Sequence, residues 1–340
     1  MRIKIALMVL VFASGAWAKD LFLLVGQSNM AGRGDLGGAC VSTERIEKLD
    51  KNDQWVEAIE PIHYDKPSAG AGLAATFART LADRDRAVEI GLIPCAVGGS
   101  GLNEWMPGAK LYVEAMRRAK IAQKDGEIKA ILWHQGESDA DQGNLQATYN
   151  ERLAKMAESM RKELGLDAAK APFIYGAIGE FLSAPYYEGN KALNAEMRKA
   201  VDIIPNARWV EADDLTCKGD LIHFDTGSVR TLGERYAQAY LKFTKGAFFT
   251  LRNVYSDHML FQQGEPIILA GTATAGAEVA VAMGGAKATA KVGSDGKWRA
   301  ELPSKKAGGP YEIKIACGKD ELVLKDVLIG ELWLCGGQSN

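Results

Sequence analysis

The sequence predicts a chain in two parts: an α/β unit, a three-layer α/β/α sandwich on a parallel sheet, followed by a small antiparallel β-sandwich. Three observations carry this expectation. Short apolar runs without polar alternation, such as "LFLLV" and "IKAILWH", suit strands buried on both faces. They alternate with segments of helical period, which places helices over both faces of one sheet. Near Phe248 the helical period stops and short β-type runs take over. With 340 residues, 47% of them hydrophobic, the chain is longer than one ordinary domain and can bury two cores.

The opening "MRIKIALMVLVFASGAWAKD" sets Arg2 and Lys4 before an apolar run from Ile5 to Ala13 and closes on Ala16-Trp17-Ala18. That is the small-x-small pattern of a signal peptidase site, so residues 1–18 read as a signal peptide cleaved after Ala18, and the protein as secreted or periplasmic. The run is well short of the roughly 20 residues needed to cross a bilayer, and no later segment is apolar enough, so no stable membrane insertion is expected after cleavage.

The α/β unit is expected over residues 19–246. Its strands are "LFLLV", "AVEIGLIP", "IKAILWH", "PFIYGAIG" and "ARWVEA"; its helices are "AGLAATFARTLADRD", "LYVEAMRRAKIAQKDG", "LQATYNERLAKMAESMRKELG", "ALNAEMRKAVDII" and "SVRTLGERYAQAYLKF". In the third helix Leu145, Tyr149, Leu153, Met156, Met160 and Leu164 recur at steps of three and four, lining one core-facing side, and Gly165 follows as a stop. Residues 31–69 show little pattern and are expected as a rim loop shaping a substrate cleft. From 249 to 330 the runs "FTLRNVYS", "PIILAGTA", "AEVAVAM", "KATAKVG", "KWRAELP", "YEIKIAC" and "LVLKDVLIG" predict the β-sandwich, with hairpin signals at "SDG" (294–296) and "CGKD" (317–320).

Charge and cysteine content exclude several functions. Basic and acidic residues nearly cancel, 41 against 43, and no Lys/Arg block offers a field for nucleic acid. Cys40, Cys95, Cys217, Cys317 and Cys335 form no CxxC and no zinc spacing with histidine, so no metal is expected. Their odd number leaves any disulfide pairing open.

Ligands of such sheets sit at the C-terminal ends of the strands, which puts the segments after "LFLLV", "GLIP", "ILWH" and "ARWVEA" on one rim. Ser28 follows a buried strand at a Gly-rich turn, a nucleophile's position, and a serine hydroxyl needs a base. Of the four histidines, His223 in "GDLIHFDTGS" is the best base, because Asp220 lies three residues before it and can hold the ring. His134 is a rim alternative that would line the site, while His63 and His258 read as structural. Oxyanion donors are available from the backbone N–H of Ser28 and Gly99 and from the side-chain amide of Gln135. Glu137 is a second candidate acid; locality favours Asp220.

"LLVGQSNMAGRG", "IGLIPCAVGGSGLNEW", "IKAILWHQGESD" and "DLIHF" resemble, in order and across nearly all of residues 20–243, the conserved blocks of the SGNH (GDSL-like) hydrolases. The branch is that of sialate O-acetylesterases and family-six carbohydrate esterases. The resemblance implies a flavodoxin-like fold, with Ser28 as nucleophile, His223 as base, Asp220 as orienting acid, an oxyanion hole of Ser28, Gly99 and Gln135, and no metal or organic cofactor. The wider superfamily carries Asn where this chain has Gln135. It also implies an acetylated carbohydrate as partner, acetylxylan-like first and O-acetylated sialic acid second. An alternative of another class is a carbohydrate-binding protein on a degenerate hydrolase fold. Residues 249–340 resemble the β module that precedes the catalytic block in longer sialate O-acetylesterases. The second "GQSN" at 337–340, with Ser339, reads as the truncated start, over 331–340, of another such domain, inert here.

Overall fold

The computed structural model describes residues 19–37, 45–85, 88–140, 142–181, 185, 187–245, 249–251, 254–318 and 320–333. The expected signal peptide, Cys40, Cys335 and the second GQSN lie outside the described residues. Cys95, Cys217 and Cys317 are free thiols. No helix among the described residues is long and apolar enough to cross a membrane.

Strands β1 (Lys19–Gly26), β2 (Ile46–Leu49), β3 (Trp55–Glu57), β4 (Ile90–Pro94), β5 (Gly126–His134), β6 (Phe173–Gly176) and β7 (Ala207–Val210) form one sheet in the order β3-β2-β4-β1-β5-β6-β7. Every neighbouring pair is parallel except β2 and β3. Those two fall inside the segment expected as a loop. The hairpin is too short, and β3 too exposed, to show a period-two pattern in sequence.

Successive residues of "LFLLV" feed two different cores. Phe22 and Leu24 pack under helices α2 (Leu73–Arg84) and α7 (Thr226–Lys245); Leu21, Leu23 and Val25 pack under α3 (Lys110–Ala122), α5 (Tyr149–Leu164) and α6 (Tyr187–Met197). Each such side chain, fully buried, contributes about 1.5–3 kcal/mol relative to exposure. This is why the strand lacks polar alternation. Two shorter helices, α1 (Ser28–Ala31) and α4 (Gly143–Ala147), complete the set. The helix expected from Leu145 onward breaks at Thr148: Leu145 is only half-buried in α4, whereas Tyr149, Leu153, Met156, Met160 and Leu164 are buried in α5. Gly165 ends α5 in the left-handed conformation, φ 66°.

The C-terminal part contains β8 (Phe249–Leu251), β9 (Leu260–Gln262), β10 (Ile267–Ala273), β11 (Glu278–Met283), β12 (Ala286–Lys291), β13 (Lys297–Leu302), β14 (Gly308–Cys317) and β15 (Asp320–Gly330). A three-stranded sheet, β13-β10-β8, and a five-stranded sheet, β12-β11-β14-β15-β9, share one core that includes Leu269, Val281, Trp298 and Ile315. "CGKD" does join a hairpin, β14 to β15. "SDG" does not: β12 pairs with β11 and β13 with β10, so this turn carries the chain from one sheet to the other. The sandwich is also not wholly antiparallel, because β9 runs parallel to β15. At the end of α2, Arg84 donates to the Phe249 carbonyl, pairs with Asp320 at 2.5 Å and lies over the Phe249 ring. With Asp20 and Ile90 it lines a small cavity at the strand starts, the end of the sheet opposite Ser28.

Candidate active site

β1 and β5 meet closely at their C-terminal ends. Gly26 has φ +131°, and a Cβ there would fall 2.2 Å from the His134 carbonyl oxygen, so only glycine permits the approach. The chain then turns, with the Gln27 N–H donating to that carbonyl at 2.9 Å, and α1 begins at Ser28. Ser28 is 5% exposed, on the wall of a cleft. Its backbone N–H opens the helix and meets no acceptor among the described residues.

The base's loop follows β7. Asp220 Oδ1 accepts the N–H groups of Ile222 (3.0 Å) and His223 (2.8 Å), and Leu221 takes a left-handed φ of 61°. This tight turn folds the carboxylate back so that Oδ2 lies 2.8 Å from His223 Nδ1. Desolvation pushes the Asp220 carboxyl upward, but the N–H and ring of His223 and the Ile222 N–H outweigh it and hold the carboxyl below its ordinary range. An ionised Asp220 favours the tautomer with the proton on Nδ1, leaving Nε2 as acceptor. His223 and Ser28 line the same cleft, of about 470 Å³, without a hydrogen bond between them in this structure.

The opposite wall comes from the loop after β4. Gly99 has φ +83°, and its N–H, like that of Ser28, is not engaged by an acceptor among the described residues. Asp65 fixes this loop: its Oδ2 accepts the Gly98 N–H at 2.8 Å and pairs with Arg33 Nη2 at 2.7 Å, the two side chains being 1% and 6% exposed. The segment expected to shape a cleft does so, contributing Arg33, Lys66 and Ser68.

Two residues from "HQGESD" depart from expectation. Gln135, anticipated as an oxyanion donor, is fully buried and lies outside the cleft wall. Its Nε2 is spent on Gln27 Oε1 (3.0 Å), the Ser100 carbonyl (3.2 Å) and Asp139 Oδ2 (2.8 Å), and its Oε1 accepts from Tyr149 (2.8 Å). Arg152 holds the other Asp139 oxygen at 3.1 Å. His134, anticipated as lining the site, is wholly buried; its Nδ1 meets the Tyr236 hydroxyl at 3.1 Å, and burial pushes its pKa down to about 3. It braces the sheet instead.

Gln27, by contrast, does line the cleft. Its Oε1 accepts from Gln135 Nε2 and from the Ser138 N–H (3.3 Å), and that backbone donor fixes which way the amide points. Nε2 has no acceptor among the described residues, and Gln27 lines the cleft beside Ser28. The sequence offered a signal: Gln27 is adjacent to Ser28, and Asp139 lies four residues past Gln135, within reach of its amide. Glu137 also lines the cleft; Asn29 Nδ2 lies 2.5 Å from its Oε1, and its Oε2 is enclosed without a partner. Burial pushes this carboxyl above its ordinary range, against the Asn29 bond.

Residues 18–242 match the family described as carbohydrate esterase, sialic acid-specific acetylesterase. The chain belongs to that family. It is therefore a carboxylic ester hydrolase of the carbohydrate acetylesterase class, on an SGNH-type fold. It is 33% identical over 244 residues to a probable carbohydrate esterase of Arabidopsis thaliana, covering 65% of this chain and 90% of that protein. The crystal structure from that plant locus superposes with a TM-score of 0.58 at 32% identity, over 66% of this chain and 98% of that one. NanS shares the fold at 17% identity (TM-score 0.57, 67% of this chain and 98% of that one). A carbohydrate acetylesterase from Xanthomonas citri shares it at 20% identity (TM-score 0.51); that match covers 91% of this esterase and 79% of the other chain, so it extends into the β-sheets after residue 249.

Proposed function

We propose that the protein removes O-acetyl groups from carbohydrate by serine catalysis through an acetyl-enzyme. The observation that carries this reading is the convergence of Ser28, His223 and the free Gly99 N–H on one cleft, with Asp220 on His223 Nδ1. Ser28 Oγ attacks the acetyl carbonyl as His223 Nε2 takes its proton. The negative charge that develops on the carbonyl oxygen is met by the N–H groups of Ser28 and Gly99 and by Gln27 Nε2. Collapse releases the sugar hydroxyl, protonated by His223. A water deprotonated by the same ring then frees acetate.

Gln135 enters as the support of Gln27. Gln27→Glu keeps the oxygen that Ser138 and Gln135 hold but sets a second oxygen where the donor stood, so kcat is expected to fall about 10²- to 10³-fold with KM little changed. Steady-state kinetics on a chromogenic acetate ester measure this. A variant with wild-type kcat returns the third donor to Gln135.

Acetylxylan or a similar neutral polysaccharide is the first substrate, because Arg33, the guanidinium in the cleft wall, is already paired with Asp65 and not available to a substrate carboxylate. O-Acetylated sialic acid is the second reading, favoured by Lys66, whose Nζ lies 3.8 Å from the Cβ position of Gly99. Acetate release from acetylxylan and from an O-acetylated sialoside, run side by side with wild type, decides between them. Release from neither removes the proposal.

A further inference from the structure

Asp220 fixes the His223 ring relative to its own loop, but nothing in that contact sets where the loop stands relative to Ser28. One side chain does so directly from the residue beside Ser28. Asn29, next to Ser28 in α1 and 1% exposed, donates from Nδ2 to the Ile222 carbonyl (3.2 Å) and accepts at Oδ1 from the Phe224 N–H (3.2 Å). Its amide therefore grips the backbone one residue before and one residue after His223. Both partners are backbone groups, an obligate acceptor and an obligate donor, so the orientation of the amide is fixed. The second Nδ2 proton goes to Glu137 Oε1 at 2.5 Å, which leaves no polar capacity of the amide's donor side unused. A second tie, Lys218 Nζ to the Arg33 carbonyl (2.9 Å), joins the same two regions; the Lys218 N–H also donates to the His223 carbonyl (3.0 Å), so this tie reaches the base's backbone from Arg33 rather than from the residue beside Ser28.

We infer that Asn29 is a positioning residue that sets the distance and angle between Ser28 and His223, and that Glu137 acts by holding the Asn29 amide rather than by pairing with the base. The inference rests on the proposed serine mechanism. Its physical ground is the steep dependence of proton transfer and attack on geometry: a shift of about 1 Å in a reacting group costs about 10²-fold in rate. Without Asn29 the loop keeps its Asp220 turn and its His223 ring contact, yet loses both bonds that register it against α1. Substrate binding to the cleft wall is not altered, so the loss belongs in kcat.

Asn29→Ala is expected to lower kcat about 10²-fold with KM within about threefold of wild type. The rate at which an organophosphonate modifies Ser28, which needs the same Ser28–His223 alignment, falls in parallel. Asn29→Asp keeps the acceptor for Phe224 but turns an oxygen toward the Ile222 carbonyl and Glu137, and is expected to match the alanine variant; it serves if the alanine variant does not fold. Glu137→Gln retains an oxygen for Asn29 and should stay within about fivefold of wild-type kcat, whereas Glu137→Ala loses about tenfold. A purely structural role would lower the melting temperature and leave kcat and the phosphonate rate of the folded enzyme intact, and that result overturns the inference. A loss confined to KM overturns it as well. Ser28→Ala separates the two levels: turnover that survives in that variant refutes the serine mechanism, while turnover lost there but kept in both Asn29 variants refutes the positioning role alone.

Discussion

Replacing Ser28 by alanine lowers turnover of a chromogenic acetate ester by about 10⁴- to 10⁶-fold, the range over which removal of a serine nucleophile acts in enzymes of this logic. The substitution removes one oxygen and nothing else that the site uses. The Ser28 hydroxyl makes no hydrogen bond among the described residues, so the fold should lose no more than about 0.5 kcal/mol, readable in a thermal melt. The donors that remain, the N–H groups at residues 28 and 99 and the Gln27 amide, still polarise a bound acetyl group. A residual acceleration of about 10³-fold over water is therefore expected rather than none. Activity near wild type in purified Ser28→Ala protein would refute the mechanism, leaving the family membership to describe the fold and a cleft used some other way.

What could be read from the sequence follows from how local each determinant is. β1 and β5 are legible because each is buried on both faces along an apolar run, "LFLLV" and "AILW", and α5 because one helical face meets the core throughout. The β2–β3 hairpin left no such trace: it adds an edge with few buried positions. The "SDG" turn differs from the expected hairpin for a related reason, since a tight turn states that the chain reverses and not which sheet receives it. The site divides in the same way. The positions of Ser28 at a strand end and of Asp220 beside His223 are legible because a buried strand and a three-residue spacing place them without reference to anything distant. The choice between Gln27 and Gln135 was not, because it depends on three groups that fold in from elsewhere: the Ser100 carbonyl, Asp139 with its Arg152 partner, and Tyr149. These occupy the Gln135 amide, whereas Gln27, a cleft residue, keeps its Nε2 without an acceptor among the described residues. Asn29 carries no local signal for the same reason, its partners being 193 and 195 residues away.

Asp220→Asn lowers kcat by about 10²- to 10⁴-fold while Glu137→Gln is mild, and the reason is the proton on His223 Nδ1 rather than the shape of the loop. Asn at position 220 can still accept from the Ile222 and His223 N–H groups through one oxygen, so the turn persists. Its amide nitrogen, however, can donate to Nδ1, which favours the tautomer with the proton on Nε2, where Ser28 needs an acceptor. Because these same bonds hold the Asp220 carboxyl below its ordinary range, wild-type Asp220 is ionised above about pH 5, and the variant's deficit should persist at about pH 8. Glu137 cannot take over the role where it stands: its Oε1 is bound to Asn29, and burial favours its neutral form. Rate profiles of both variants against pH, on the same acetate ester, test the assignment. A crippled Glu137→Gln beside a mild Asp220→Asn would transfer the acid's role to Glu137 and require the His223 ring to turn away from Asp220 when substrate binds.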